Sequence, residues 1–154
     1  MPADAYPDSS FLVSIYRQDG NHAAASTFMR KRSPSLAFLP LHRVELRNAL
    51  RFAETRGLIR SDERREAFRQ IEEDLREGFL VHATVAWSDI CRRADDLSEK
   101  HRVKNGQRTI DLLHVAAALE SGTRLFSLLT NANANWPRLL GFKSNLKTPS
   151  QAKL

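Results

Sequence analysis

The chain of 154 residues has a single cysteine, Cys91, which excludes an internal disulfide framework and any cysteine-ligated zinc site. Its six glycines never cluster, so there is no glycine-rich phosphate loop. No Gly-x-Ser-x-Gly elbow is present for a serine hydrolase. The five histidines, at positions 22, 42, 82, 101 and 114, do not have the spacing of zinc ligands. Aromatic residues make up 8% of the chain and are scattered, which does not support a dedicated stacking surface for single strands. No apolar run approaches the ~18 residues of a membrane span, and no charged-then-apolar leader opens the chain. A cytoplasmic location with no membrane contact is therefore expected.

With 42% hydrophobic and 27% charged residues, the composition is that of a globular fold able to bury a core. One domain is expected over residues 1–146, then a polar tail at 147–154. The 24 Lys and Arg against 18 Asp and Glu leave a net charge of +6, with an isoelectric point near 10.0. Such a balance favours a polyanionic partner.

Short apolar segments alternate with helical patterns. Strands are expected at Ala3–Tyr6, Ser35–Leu41, Phe79–Ala83 and Arg124–Leu129, with Phe142 starting an edge strand. Helices are expected at Ser9–Arg17, His22–Arg32, His42–Thr55, Asp62–Glu77, Val85–Lys100, Ile110–Glu120 and Trp136–Leu140. The charge run of Asp62–Glu77 reads as a solvated helix face, and the alanine-rich segment from Ile110 reads as buried. This alternation predicts a three-layer α/β/α sandwich around a mostly parallel sheet of four to five strands. Sites in such sheets lie beyond the carboxyl ends of the strands.

Three acids fall at that rim. Asp8 directly follows the first strand, Glu45 lies in the helix after the second, and Asp111 opens the buried helix. Each has a purely structural alternative. Asp8 is a suitable helix N-cap, Glu45 has Arg43 and Arg47 as exposed partners, and Asp111 complements a helix dipole. Taken together, three carboxylates repel one another unless a hard divalent cation joins them. In a basic protein that combination points to phosphodiester chemistry. His114, one turn beyond Asp111, reads as a buried, hydrogen-bonded packing histidine.

The most specific segment is Arg108-x-x-Asp111-x-Leu113-His114-Val115-Ala116-x-Ala118-Leu119. With Tyr6-x-Asp8-Ser9-Ser10-x-Leu12-Val13 and His42-Arg43-Val44-Glu45-Leu46-Arg47-Asn48-Ala49-Leu50, it resembles the PIN domain and, within it, the VapC-type toxin ribonucleases of bacterial toxin–antitoxin pairs. The resemblance runs from about Tyr6 to Phe142. It implies a Mg²⁺- or Mn²⁺-dependent endonuclease acting on single-stranded RNA, a homodimer, and a small antitoxin partner. Asp8, Glu45 and Asp111 would hold the metal, and Ser9 or Ser10 would orient the first acid. Arg43 and Arg108 are candidates for positioning the RNA backbone. The family usually has a fourth acid after the last core strand; here Thr130, or failing that Asn131, stands in its place. That departure motivates an alternative expectation, a catalytically impaired PIN domain that binds RNA or a partner.

Overall fold

In a computed structural model, residues 3–101, 108–123 and 125–127 are described, the last three as backbone. Four short strands, β1 (Ala5–Pro7), β2 (Leu36–Phe38), β3 (Leu80–His82) and β4 (Leu125–Ser127), form a parallel sheet in the order β3-β2-β1-β4. Six helices accompany them: α1 (Ser9–Tyr16), α2 (His22–Arg32), α3 (Pro40–Thr55), α4 (Ser61–Glu77), α5 (Trp87–Lys100) and α6 (Thr109–Glu120). The expected helix at Trp136–Leu140, the strand at Phe142 and the tail lie outside the described residues.

Side-chain alternation along the strands divides the core in two. Ala5, Leu36, Phe38 and Leu80 pack with Phe11, Leu12, Phe28, Leu46, Leu50 and Ile71, from α1 to α4. Tyr6 and Ala37 from the strands, with Leu39 just beyond β2, instead pack with Ile90, Leu97 and the Val115–Ala118 run of α5 and α6. The buried reading of α6 holds, since Val115, Ala116, Ala117 and Ala118 are all buried. Among the described residues no helix is long and apolar enough to cross a membrane.

Boundaries shift where proline chemistry competes with apolar pattern. The segment Ser35–Leu41 is apolar throughout most of its length, yet its strand is only Leu36–Phe38, because Pro40 begins α3. Proline suits a first helical turn, where its missing N–H would have no helical partner and its φ is already helical. The first strand lies at Ala5–Pro7 instead of Ala3–Tyr6, which brings Asp8 directly onto its carboxyl end. Leu46, fully buried between the sheet and α1, reports on the larger core. Leu46→Ala is expected to cost about 2–5 kcal/mol, read as a lower midpoint in thermal or urea denaturation.

Candidate active site

The site is built at the carboxyl end of the central strand β1. Asp8 is the N-cap of α1, its Oδ1 accepting the Phe11 N–H at 2.8 Å. It is only 5% exposed. Burial pushes its carboxyl up to about 6; the Phe11 N–H and the charge of His114 oppose the rise, and the charges of Asp111 and Glu45 add to it. The capping explanation therefore holds for this residue. Asp8 caps a helix, and it also stands within electrostatic range of the other two acids.

Glu45 projects from α3 away from the arginines flanking it in sequence. Arg43 and Arg47 both reach Glu72 of α4, which excludes the exposed Arg43 or Arg47 pairing considered for Glu45. Its Oε2 instead accepts hydrogen bonds from Ser9 Oγ and His114 Nε2. Burial raises the Glu45 carboxyl, but the hydrogen bond and charge of His114, with the Ser9 hydroxyl and His42, outweigh it and leave it below its usual range. Asp111 lies in the first turn of α6, buried. Arg108 Nε and Nη2 donate to its two oxygens at 3.1 and 3.2 Å, a forked pair. Through that bond and the charge of Asp111, Arg108 is held above its usual value, and the charge of Glu45 adds to the effect.

Beneath the acids lies a layer of buried rings. His42 is fully buried and joins two elements: Nδ1 accepts the Leu39 N–H at 3.0 Å and Nε2 donates to the Pro7 carbonyl at 2.8 Å. Burial, aided by the charge of His114, drives its pKa down to about 3, so the imidazole is neutral. The Tyr6 hydroxyl meets His114 Nδ1 at 2.9 Å. Burial, then the charges of Glu45 and Asp8, push the Tyr6 phenol well above its usual value.

Three differences from the residue-by-residue expectation stand out. Ser9 serves the second acid, bonding Glu45 and lying 3.2 Å from His114 Nε2, where the resemblance implied the first. Ser10 sits beside it on α1, partly buried. Arg43 and Arg108, the candidates for RNA contact, are both engaged by carboxylates, Glu72 and Asp111. Thr130 and Asn131 lie outside the described residues. Tyr6 and His42 were not singled out for any role from the sequence. Their signal was a buried aromatic and a histidine near the strand ends, which packing alone also explains.

The donor chemistry suits a hard divalent cation: three carboxylates, two of them buried. Among the described residues, no three His, Cys, Asp or Glu side chains are grouped closely enough to hold an ion as they stand. Asp111 is turned to Arg108, and Glu45 to Ser9 and His114. A comparison with curated proteins gave no match. The profile of the family described as PIN domain matches residues 5–131, which span Asp8, Glu45 and Asp111. The chain therefore belongs to the PIN domain family, whose members are generally nucleases that use divalent metal ions.

Proposed function

We propose that this protein is a Mg²⁺- or Mn²⁺-dependent endoribonuclease, the toxin half of a toxin–antitoxin pair. One observation carries the reading: the PIN-domain match spans Asp8, Glu45 and Asp111, and at the carboxyl end of the central strand Ser9, next to Asp8, hydrogen-bonds Glu45. Asp8, Glu45 and Asp111 would hold the ion, which supplies Lewis-acid polarisation of the phosphodiester when bound. The protein's own contribution is to hold these acids at the end of β1 and on α3 and α6, above a layer of buried rings. The two core clusters on opposite sides of the sheet support a three-layer α/β/α sandwich for this domain. Exposed Val44 and Phe52 on α3, at 68% and 59%, support a partner surface, for a second copy or an antitoxin. A cytoplasmic location belongs to the same reading.

The test is cleavage of a mixed single-stranded and structured RNA pool with Mg²⁺ and with Mn²⁺, against EDTA and the Asp111→Asn protein. Cleavage is expected to require both the ion and Asp111. Full metal-dependent activity in Asp111→Asn would overturn the assignment.

A second reading rests on the stretch Ser127-Leu128-Leu129-Thr130-Asn131-Ala132-Asn133, which carries no carboxylate. It makes the protein a binding module that holds RNA or a partner without cutting. Thr130→Asp should then create Mn²⁺-dependent cleavage in a native background that has none.

Arg108 gives a prediction with an unusual sign. Its guanidinium, 75% exposed, pairs with the Asp111 carboxylate that a metal would need. Arg108→Ala is expected to tighten Mn²⁺ binding about two- to fivefold, the range of an exposed ion pair. Calorimetric titration of both proteins measures it; weaker Mn²⁺ binding in the variant would refute the competition.

A further inference from the structure

We propose that Tyr6 and His114 form a positioning pair that holds the Glu45 carboxylate with one oxygen turned toward the site. The inference rests on the metal-site reading above and concerns residues that touch neither ion nor substrate.

The geometry runs inward from Glu45. His114 Nε2 and Ser9 Oγ both bond Oε2 of Glu45, and the described hydrogen bonds leave Oε1 for another partner. Behind the imidazole, Nδ1 meets the Tyr6 hydroxyl at 2.9 Å. Whether the ring is neutral or charged, the Tyr6 contact at Nδ1 is compatible with a proton on Nε2, the nitrogen facing Glu45. The ring is also confined by its neighbours. The centroids of His42 and Tyr6 lie 5.1 and 5.9 Å from that of His114. Tyr6 and His42 are fully buried, and His114 nearly so.

Such confinement matters because a free glutamate side chain samples many rotamers, and fixing it costs conformational entropy. Two donors on one oxygen remove that freedom before any ligand arrives. Partners behind a ligating group typically change metal affinity about 10–100-fold when removed. A packing histidine with no positioning role requires only its volume and one satisfied ring nitrogen, whereas this ring aims a donor at a site acid 69 positions away in the chain.

The experiment is Mn²⁺ titration calorimetry on the full chain, native and as His114→Ala, His114→Gln, Tyr6→Phe and Asp8→Asn. Circular dichroism of each variant checks folding. Mn²⁺ affinity should fall about tenfold in His114→Ala. In His114→Gln it should recover to within about threefold of native, because the amide keeps a donor near the Nε2 position. Tyr6→Phe keeps the ring and loses the hydroxyl, and it should show an intermediate loss. Equal weakness in the Ala and Gln variants, or native affinity in His114→Ala, would overturn the positioning role. Should His114→Ala fail to fold, Tyr6→Phe decides: unchanged affinity overturns the proposal. Asp8→Asn separates the two levels. If it loses Mn²⁺ binding while the His114 variants do not, only this inference fails. If it binds Mn²⁺ like the native protein, the site reading fails, and this inference with it.

Discussion

Asp8→Asn is expected to abolish cleavage and, in the same protein, to raise stability. On the proposed metal-site reading, losing a ligand that supports several kcal/mol of Lewis-acid stabilisation lowers the rate by roughly 10²-fold or more. The stability gain has a separate origin. Asp8 is raised from 3.8 to about 6 by burial, against the help of the Phe11 N–H and His114 and with the added repulsion of Asp111 and Glu45. A carboxyl raised in the folded state favours folding fully below 3.8, and that contribution is lost as pH rises through about 6. At pH 7 and without metal, the ionised group therefore costs on the order of 3 kcal/mol. Asparagine carries no charge and can still accept the Phe11 N–H, so the cap survives. The midpoint at pH 7 should rise by about 5–10 °C for a chain of this size, and the advantage should shrink as pH falls below 6. A variant less stable than native at pH 7, or one that still cuts RNA, would contradict this account.

His42→Leu is expected to have the largest effect on stability. Leucine fills similar space but strands the Leu39 N–H and the Pro7 carbonyl, both bonded to the imidazole at 3.0 and 2.8 Å. Two buried unsatisfied groups cost about 2–6 kcal/mol together. The pH dependence gives an independent signature. His42 is lowered from 6.5 to about 3, chiefly by burial and then by the charge of His114. The unfolded chain binds the proton that the folded one refuses, so this contribution is present above 6.5 and lost as pH falls toward 3. Its full size is on the order of 5 kcal/mol. Between about 6 and 3.8, Asp8 acts in the opposite sense and offsets part of the loss. The native protein should therefore change little between about 6 and 3.8 and lose stability below that, while His42→Leu, less stable at pH 7, should gain stability as pH falls through about 6, because the Asp8 contribution is then unopposed. Denaturant midpoints measured from pH 7 to pH 3.5 test it; parallel curves for the two proteins would sink the assignment.

The helices were largely legible because their information is local. The apolar period, Asp8 as a cap and Gly57 or Gly122 as stops sit within a few residues of the elements they define. Strand edges were less legible. Three-residue strands carry little periodic signal, and Pro40 can break a strand or start a helix, depending on whether the next residues sustain a helical period. The acids themselves were readable because their spacing relative to strand ends is a topological property of parallel sheets.

Partnership was not readable, and the reason is physical. Whether Glu45 pairs with Arg43, its near neighbour on the same helix, or with His114, depends on which face of α3 meets α1 and α6. That is settled by packing Leu46, Leu50 and Ala53 inward, which leaves Arg43 and Arg47 on the flank that meets α4. The Tyr6 bond to His114 spans 108 positions, and no local pattern distinguishes it from two independent core residues. Composition and spacing thus specify a basic α/β chain with three acids near one rim of its sheet. Which hydroxyl serves which acid, which arginine stands against Asp111, and how far burial raises Asp8 are decided only when distant segments share one low-dielectric interior.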